Sequence, residues 1–407
     1  MILPQFRFFC LINKLLPNIL RHTNIMSSLP KSLLDKLAQR TADNALRQLG
    51  STTGQVDFSS NDYLGLSASK EIFYGAHDYL VQNSSIANGS TGSRLISGNH
   101  SLYEITETAI AKFHSAESAL IFNSGYDANV GFFSSVPQKG DVVLYDEYIH
   151  ASIRDGIRLS NATAYKFAHN DIIALKSLVM RYRDRANEVY VVSESVFSMD
   201  GDSPDLTTLA TICTSNNCRL VIDEAHALGI FGTKGEGLIQ ALHLQDKIFA
   251  RIITFGKGLG SHGAATLSSP DVRSYLINFA RSFIYTTALP PHSLATLLTA
   301  YNYIDTSVLE KKMLQDNIVF FREQVKSLQL KNFIESKSAI HCAVIPGNEN
   351  VKYIAAALQQ SGFSVKAILS PTVPQGQERL RFCLHAYNTK EQISEVLKLL
   401  AISLLHP

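Results

Sequence analysis

Cysteine is scarce and unpatterned in this chain: five in 407 residues, Cys10, Cys213, Cys218, Cys342 and Cys383, at no metal-ligand spacing. Free thiols in a reducing compartment follow, and with them a cytoplasmic setting and no metal centre. An excess of one charge is missing too. The formal net charge is +2, and Arg7, Lys14 and Arg21 supply three positive charges before the first acid, Asp35, which leaves about −1 for the rest. That balance excludes a nucleic-acid surface. Beyond the first 25 residues no stretch suggests a membrane span, and repeats and low-complexity tracts are absent. What remains is an ordinary globular composition, 45% apolar and 18% charged, long enough for a large core and more than one lobe.

Met1 to Ile25 is apolar and basic, but Pro4 and Pro17 interrupt it and no small-residue cleavage site stands out. Met26 opens a more ordinary helix, so a misassigned start accounts for the extension as well as a targeting signal does. Residues 1–25 are expected outside the fold, 26–60 as an N-terminal helical arm, 61–300 as a large domain and 301–407 as a small one. In the arm, Leu33, Leu34, Leu37, Ala38, Leu46 and Leu49 predict one amphipathic helix or two.

From about 100 to 270, short β runs alternate with helical stretches. The runs are Ala119-Leu-Ile-Phe122, Val142-Val-Leu-Tyr145, Glu188-Val-Tyr-Val-Val192, Leu220-Val-Ile222 and Ile252-Ile-Thr254. This alternation predicts an α/β fold with a mostly parallel central sheet and helices on both faces. From 301 onward a helix over 309–328, β runs at 339–345 and 380–384, and a helix over 351–360 predict a smaller α+β C-terminal domain. Ligands of such sheets bind outside the carboxyl ends of the strands, and the polar motifs fall there.

Lys257, in Thr254-Phe-Gly-Lys-Gly-Leu-Gly260, follows the last of those runs, with glycines that leave room for a flat ligand. Asp223-Glu-Ala-His226 ends another. A strand-end lysine and an acid–histidine pair fit a pyridoxal phosphate site: the amine forms the Schiff base, and the acid keeps the pyridine nitrogen protonated. Asp223 gains most from that reading, because a buried carboxylate needs a cation. Asn123-Ser-Gly-Tyr126 suits a phosphate at a helix start. His150, Ser198 and Thr254 also stand at strand ends. Gly258-Leu-Gly-Ser-His-Gly263 matches a dinucleotide fingerprint, yet no helix opens there and no acid follows roughly 20 residues on, so that reading fails.

These motifs, with Ser59-Ser-Asn-Asp-Tyr-Leu-Gly-Leu66, Gly89-Ser-Thr-Gly-Ser-Arg-Leu95, Phe167-Ala-His-Asn-Asp171, Phe197-Ser-Met-Asp-Gly-Asp202 and Pro371-Thr-Val-Pro374, resemble the α-oxoamine synthases, a family of fold-type-I pyridoxal phosphate-dependent transferases. The resemblance spans residues 30 to 400 and implies roles. Lys257 carries the cofactor and moves the substrate proton, Asp223 pairs with the pyridine nitrogen, His150 stacks on the ring and His226 lies near the ring oxygen. Gly125, Tyr126, Ser198 and Thr254 line the cofactor, while Thr286 or Thr287 reaches its phosphate across a homodimer interface. Asn61 and Arg381 face the amino-acid carboxylate; Arg47 and Thr372 lie near the acyl substrate. Where many relatives carry Arg-Pro-Pro-Thr-Val-Pro, this chain has Leu369-Ser-Pro-Thr-Val-Pro374, so one arginine contact is missing. Phe167–Asp171 and Pro371–Pro374 are most similar to members that join L-alanine to a pimeloyl thioester. Other members use glycine or serine with other acyl-CoAs. Non-catalytic family subunits lose the lysine, which is present here, and an aminotransferase of the same fold is the remaining alternative.

Overall fold

The computed structural model describes residues 29–47, 49 and 54–405, so the expectations for residues 1–25 and for a helix opening at Met26 lie outside it. The chain forms two compact units, Met1–Gly50 and Ser51–Pro407. In the first, one helix runs Lys31–Ala42. It ends in a turn where Asn44 takes a left-handed φ of 49°, and Leu46 and Leu49 lie past it.

Among the described residues of the second unit are twelve strands: β1 (Val56–Asp57), β2 (Ser118–Phe122), β3 (Val142–Asp146), β4 (Thr163–Phe167), β5 (Val189–Glu194), β6 (Arg219–Asp223), β7 (Ala250–Thr254), β8 (Ala264–Ser268), β9 (Ile340–Val344), β10 (Phe363–Ser364), β11 (Lys366–Ile368) and β12 (Arg379–Cys383). Seven make the central sheet, in the order β2-β8-β7-β6-β5-β3-β4. β8 is antiparallel to both its neighbours and every other pairing is parallel. β2 therefore runs the same way as β3, β5, β6 and β7, and all five end at one edge.

The runs are continuous rather than alternating because both faces of the sheet are covered. Successive residues of one strand enter different cores. Val143, Tyr190 and Val192 pack with the helices Gly125–Ser135 and Ala151–Leu159. Val142, Leu144, Val189 and Val191 pack with Ile172–Tyr182 and Leu206–Ser215 on the other side. Sequence periodicity misses β4 because its residues Thr163-Ala-Tyr-Lys-Phe167 are mostly exposed at the sheet edge.

After the helices Pro291–Thr306 and Leu309–Ser327, a three-stranded antiparallel sheet, β11-β12-β9, is covered by the helices Asn348–Gln360 and Lys390–Leu405. β1 and β10 form a separate two-stranded parallel sheet, from which the Ser59–Leu66 segment leads to the cavity at Asn61. Among the described residues no helix is long and apolar enough to cross a membrane.

Candidate active site

At the carboxyl edge lies a cavity of about 310 Å³ lined by residues from five strand ends, among them Gly125, His150, Glu194, Asp223, His226 and Lys257. β2 leads through Asn123 into the helix Gly125–Ser135, whose cap is Ser124 Oγ accepting from Asp127 N–H at 3.0 Å. The first turn of that helix presents backbone N–H groups to the cavity. Thr254, at the end of β7, packs against it so closely that a Cβ on Gly125 would meet Thr254 Cγ2 at 2.4 Å. Glycine is required there by contact.

Lys257 sits on the tight turn after β7, closed by Gly260 N–H donating to the Lys257 carbonyl at 2.9 Å. Gly260 has φ 56°, and its backbone lies against Leu66 and Ser67. Gly260 serves the close approach of two backbones, while Gly256 lines the cavity. Burial lowers the Lys257 amine to about pH 8, against the raising influence of Asp223 and Glu194. Its Nζ lies 3.0 Å from His226 Nε2. Burial likewise holds the His226 imidazole well below its ordinary value, and so neutral.

Asp223, at the end of β6, is 5% exposed, and its oxygens accept from two neutral groups: Asn129 Nδ2 at 2.8 Å and Ala225 N at 2.9 Å. The other Asn129 N–H reaches Ser152 Oγ at 3.0 Å, and that oxygen lies 2.7 Å from His150 Nδ1. Ser152 N–H also donates to His150 Nδ1 (3.3 Å), so in neutral His150 the proton is on Nε2. Glu194 at the end of β5 accepts from His150 N–H at 2.6 Å; burial and the Asp223 charge push its carboxyl well above the usual range.

The remaining expected residues are placed unevenly. Asn61 lines the cavity, and Arg381 on β12 reaches it through Asn61, donating from Nη2 to Oδ1 at 2.9 Å. Ser198 does not line the cavity; its carbonyl accepts from Arg381 Nε at 2.7 Å. Thr286 and Thr287 also stand outside it, gripped by Asn123 Nδ2 at 3.0 Å (Thr286 Oγ1) and 2.7 Å (Thr287 O). Thr372 is exposed beside Leu369, whose carbonyl accepts its N–H at 2.8 Å, and Leu369 packs on the core. Arg47 belongs to the first unit. Sequence reading missed Asn129, Ser152, Glu194 and Tyr63. Only Tyr63 stood inside a quoted motif, and nothing in a single helical asparagine such as Asn129 announces a site.

A model of the aminotransferase class I and II family matches residues 53–400. The 8-amino-7-oxononanoate synthase of Emericella nidulans is 41% identical over 400 residues, covering 92% of this chain and 97% of that protein. The solved 8-amino-7-oxononanoate synthase from Francisella tularensis shares 30% identity and a TM-score of 0.74, over 86% of this chain and 98% of that one. A serine palmitoyltransferase from S. paucimobilis, solved with pyridoxal phosphate and myriocin, gives a TM-score of 0.83 at 25% identity, over 92% and 96%. The chain belongs to the aminotransferase class I and II family, in its α-oxoamine synthase branch. Within that class it is a pyridoxal phosphate enzyme of the acyltransferase type, as the motifs implied.

The residues fit that cofactor on their own geometry. A buried carboxylate pinned by neutral donors is set up for a cationic ring nitrogen. An amine held near neutrality suits a carbonyl partner. A helix start with a glycine forced by contact, beside the Thr254 hydroxyl, suits a phosphate.

Proposed function

We propose that this enzyme joins the α-carbon of L-alanine to the acyl carbon of a pimeloyl thioester, carried on CoA or acyl carrier protein. Carbon dioxide and the free thiol leave, and 8-amino-7-oxononanoate is formed for biotin biosynthesis. The carrying observation is the 41% identity to the Emericella nidulans synthase across 92% of the chain. A serine–palmitoyl reading draws on the higher TM-score of the palmitoyltransferase, but at 25% identity that likeness is mainly one of backbone.

Bound pyridoxal phosphate supplies an electron sink for the carbanion at alanine Cα. Lys257 removes the Cα proton, which an amine near pH 8 does at working pH without a large driving-force cost. Asp223 would pair with the pyridine nitrogen of the bound cofactor and keep its proton in place. His150 would hold the ring face with its Nε2–H available, and His226 would serve the ring oxygen. Gly125, Tyr126 and Thr254 form the cofactor's surroundings, while Ser198, which the motif placed there, acts through its carbonyl on Arg381. Thr286 and Thr287 complete the phosphate site of a second copy in a homodimer, which sedimentation of the holoenzyme checks. Asn61 and Arg381 take the amino-acid carboxylate and Thr372 the acyl side, with residues 301–407 acting as a smaller lobe that brings Arg381. The working compartment is the cytoplasm.

Turnover with alanine, glycine and serine against pimeloyl, succinyl and palmitoyl thioesters tests the reading. Clear preference for glycine with succinyl, or serine with palmitoyl, ends it. Arg381→Lys separates the carboxylate role. Arg381 makes three directed contacts, to Ser198 O, Asn61 Oδ1 and Cys383 Sγ, that a single ammonium cannot rebuild. The KM for alanine should rise about 10- to 150-fold, the equivalent of ~1.5–3 kcal/mol for a charged hydrogen bond, with kcat less affected.

A further inference from the structure

We infer that Tyr63 is a positioning residue: its hydroxyl fixes which nitrogen of His226 carries the proton, and thereby makes His226 an acceptor for the Lys257 amine. This rests on the reading of Lys257 as the working amine, although the proton placement itself does not.

One chain of contacts sets the proton's place. Arg381 has only donors, and its Nη2 lies 2.9 Å from Asn61 Oδ1, which fixes the orientation of that amide. The same Oδ1 accepts from Tyr63 O–H at 3.2 Å. Tyr63 has one hydroxyl proton. With that proton directed to Asn61, its oxygen is an acceptor toward His226 Nδ1, 2.6 Å away. His226 Nδ1 therefore carries hydrogen. Because His226 is neutral, its Nε2 is bare and receives an N–H from Lys257 Nζ at 3.0 Å.

Tyr63 is fully buried in the main core, so no water substitutes for its hydroxyl. Without it, His226 Nδ1 loses its hydrogen-bond acceptor, and a bare nitrogen there costs less than an unpaired N–H. The proton then moves to Nε2, which donates to a neutral amine and opposes a charged one. The groups that face Lys257 are His226, His150, Asp223, Glu194, Arg381 and Cys383, and Tyr63→Phe leaves all of them in place.

The test uses cofactor-free protein with 15N-labelled histidine. In the wild type, His226 should show a protonated Nδ1 and a bare Nε2; in Tyr63→Phe the assignment should reverse. Acylation of Lys257, followed against pH by peptide mapping, should show its midpoint moving down by about one pH unit in the variant, the size of one neutral hydrogen bond. A bare Nδ1 in the wild type overturns the inference without any variant. So does an unchanged midpoint in a Tyr63→Phe protein whose melting is cooperative. Retained ring-proton placement with no turnover on any substrate would instead count against the catalytic reading of Lys257.

Discussion

Lys257→Ala should bind no cofactor covalently and should turn over at least about a thousandfold more slowly than the wild type. Two losses combine: the covalent attachment point disappears, and so does the base, whose proton transfer alone is worth on the order of 10²–10⁴. Borohydride reduction of the wild-type holoenzyme followed by peptide mapping should place the label on Lys257. A label on another lysine defeats the assignment. The pH dependence has a definite sign. The ordinary lysine value is 10.5 and burial brings this one to about 8, so the amine is charged and unreactive below that pH and becomes nucleophilic above it. Capture of pyridoxal phosphate by the cofactor-free protein should therefore rise with pH through a midpoint near 8, about two and a half units earlier than a solvent-exposed lysine.

The parts of this site legible in the sequence are those where backbone and chemistry coincide. Lys257, Asp223 and Ser124-Gly125 each follow an apolar run, and a parallel sheet buried on both faces produces runs that end at a common edge. β4 and Glu194 show where this fails. β4 is exposed and lacks the apolar pattern, while Glu194 is the last residue of its strand and reads as a surface acid. Its burial is set by what folds over it, including His150 N–H from a separate loop. Asn129 and Ser152 are legible only in three dimensions, since the two polar atoms come from different helices and meet at Asp223 and His150.

The same distinction applies to the substrate side. Arg381 was placed by motif alone, and the structure sets it behind Asn61 rather than on the cavity wall. Ser198 contributes through its carbonyl, which holds the Arg381 guanidinium from β12 to the loop after β5. The link joins the segment after residue 301 to the central sheet at the point proposed above for the substrate carboxylate. A motif identifies the residue type; only packing decides whether a side chain or its backbone does the work.

Asp223→Asn should keep measurable cofactor binding while turnover falls by about 10²–10³, the usual cost of removing one preorganised charge from a transition state. A neutral amide cannot hold a proton on the pyridine nitrogen, so the sink for the alanine carbanion weakens. The hydrogen bonds add a second, separable effect. Both oxygens of Asp223 accept from N–H groups, so replacing one by NH2 sets a donor against either Ala225 N–H or Asn129 Nδ2. Asn129 can relieve the clash by turning its side-chain amide, because its own Oδ1 is buried without a partner. Ser152 then has to give its hydroxyl proton to that Oδ1 and withdraw it from His150 Nδ1. The Asp223→Asn variant should therefore also shift the His150 ring nitrogen signals, whereas Asn129→Ala should shift them and leave most of the turnover. Near-normal turnover in Asp223→Asn would make the carboxylate a structural acceptor of two N–H groups and nothing more.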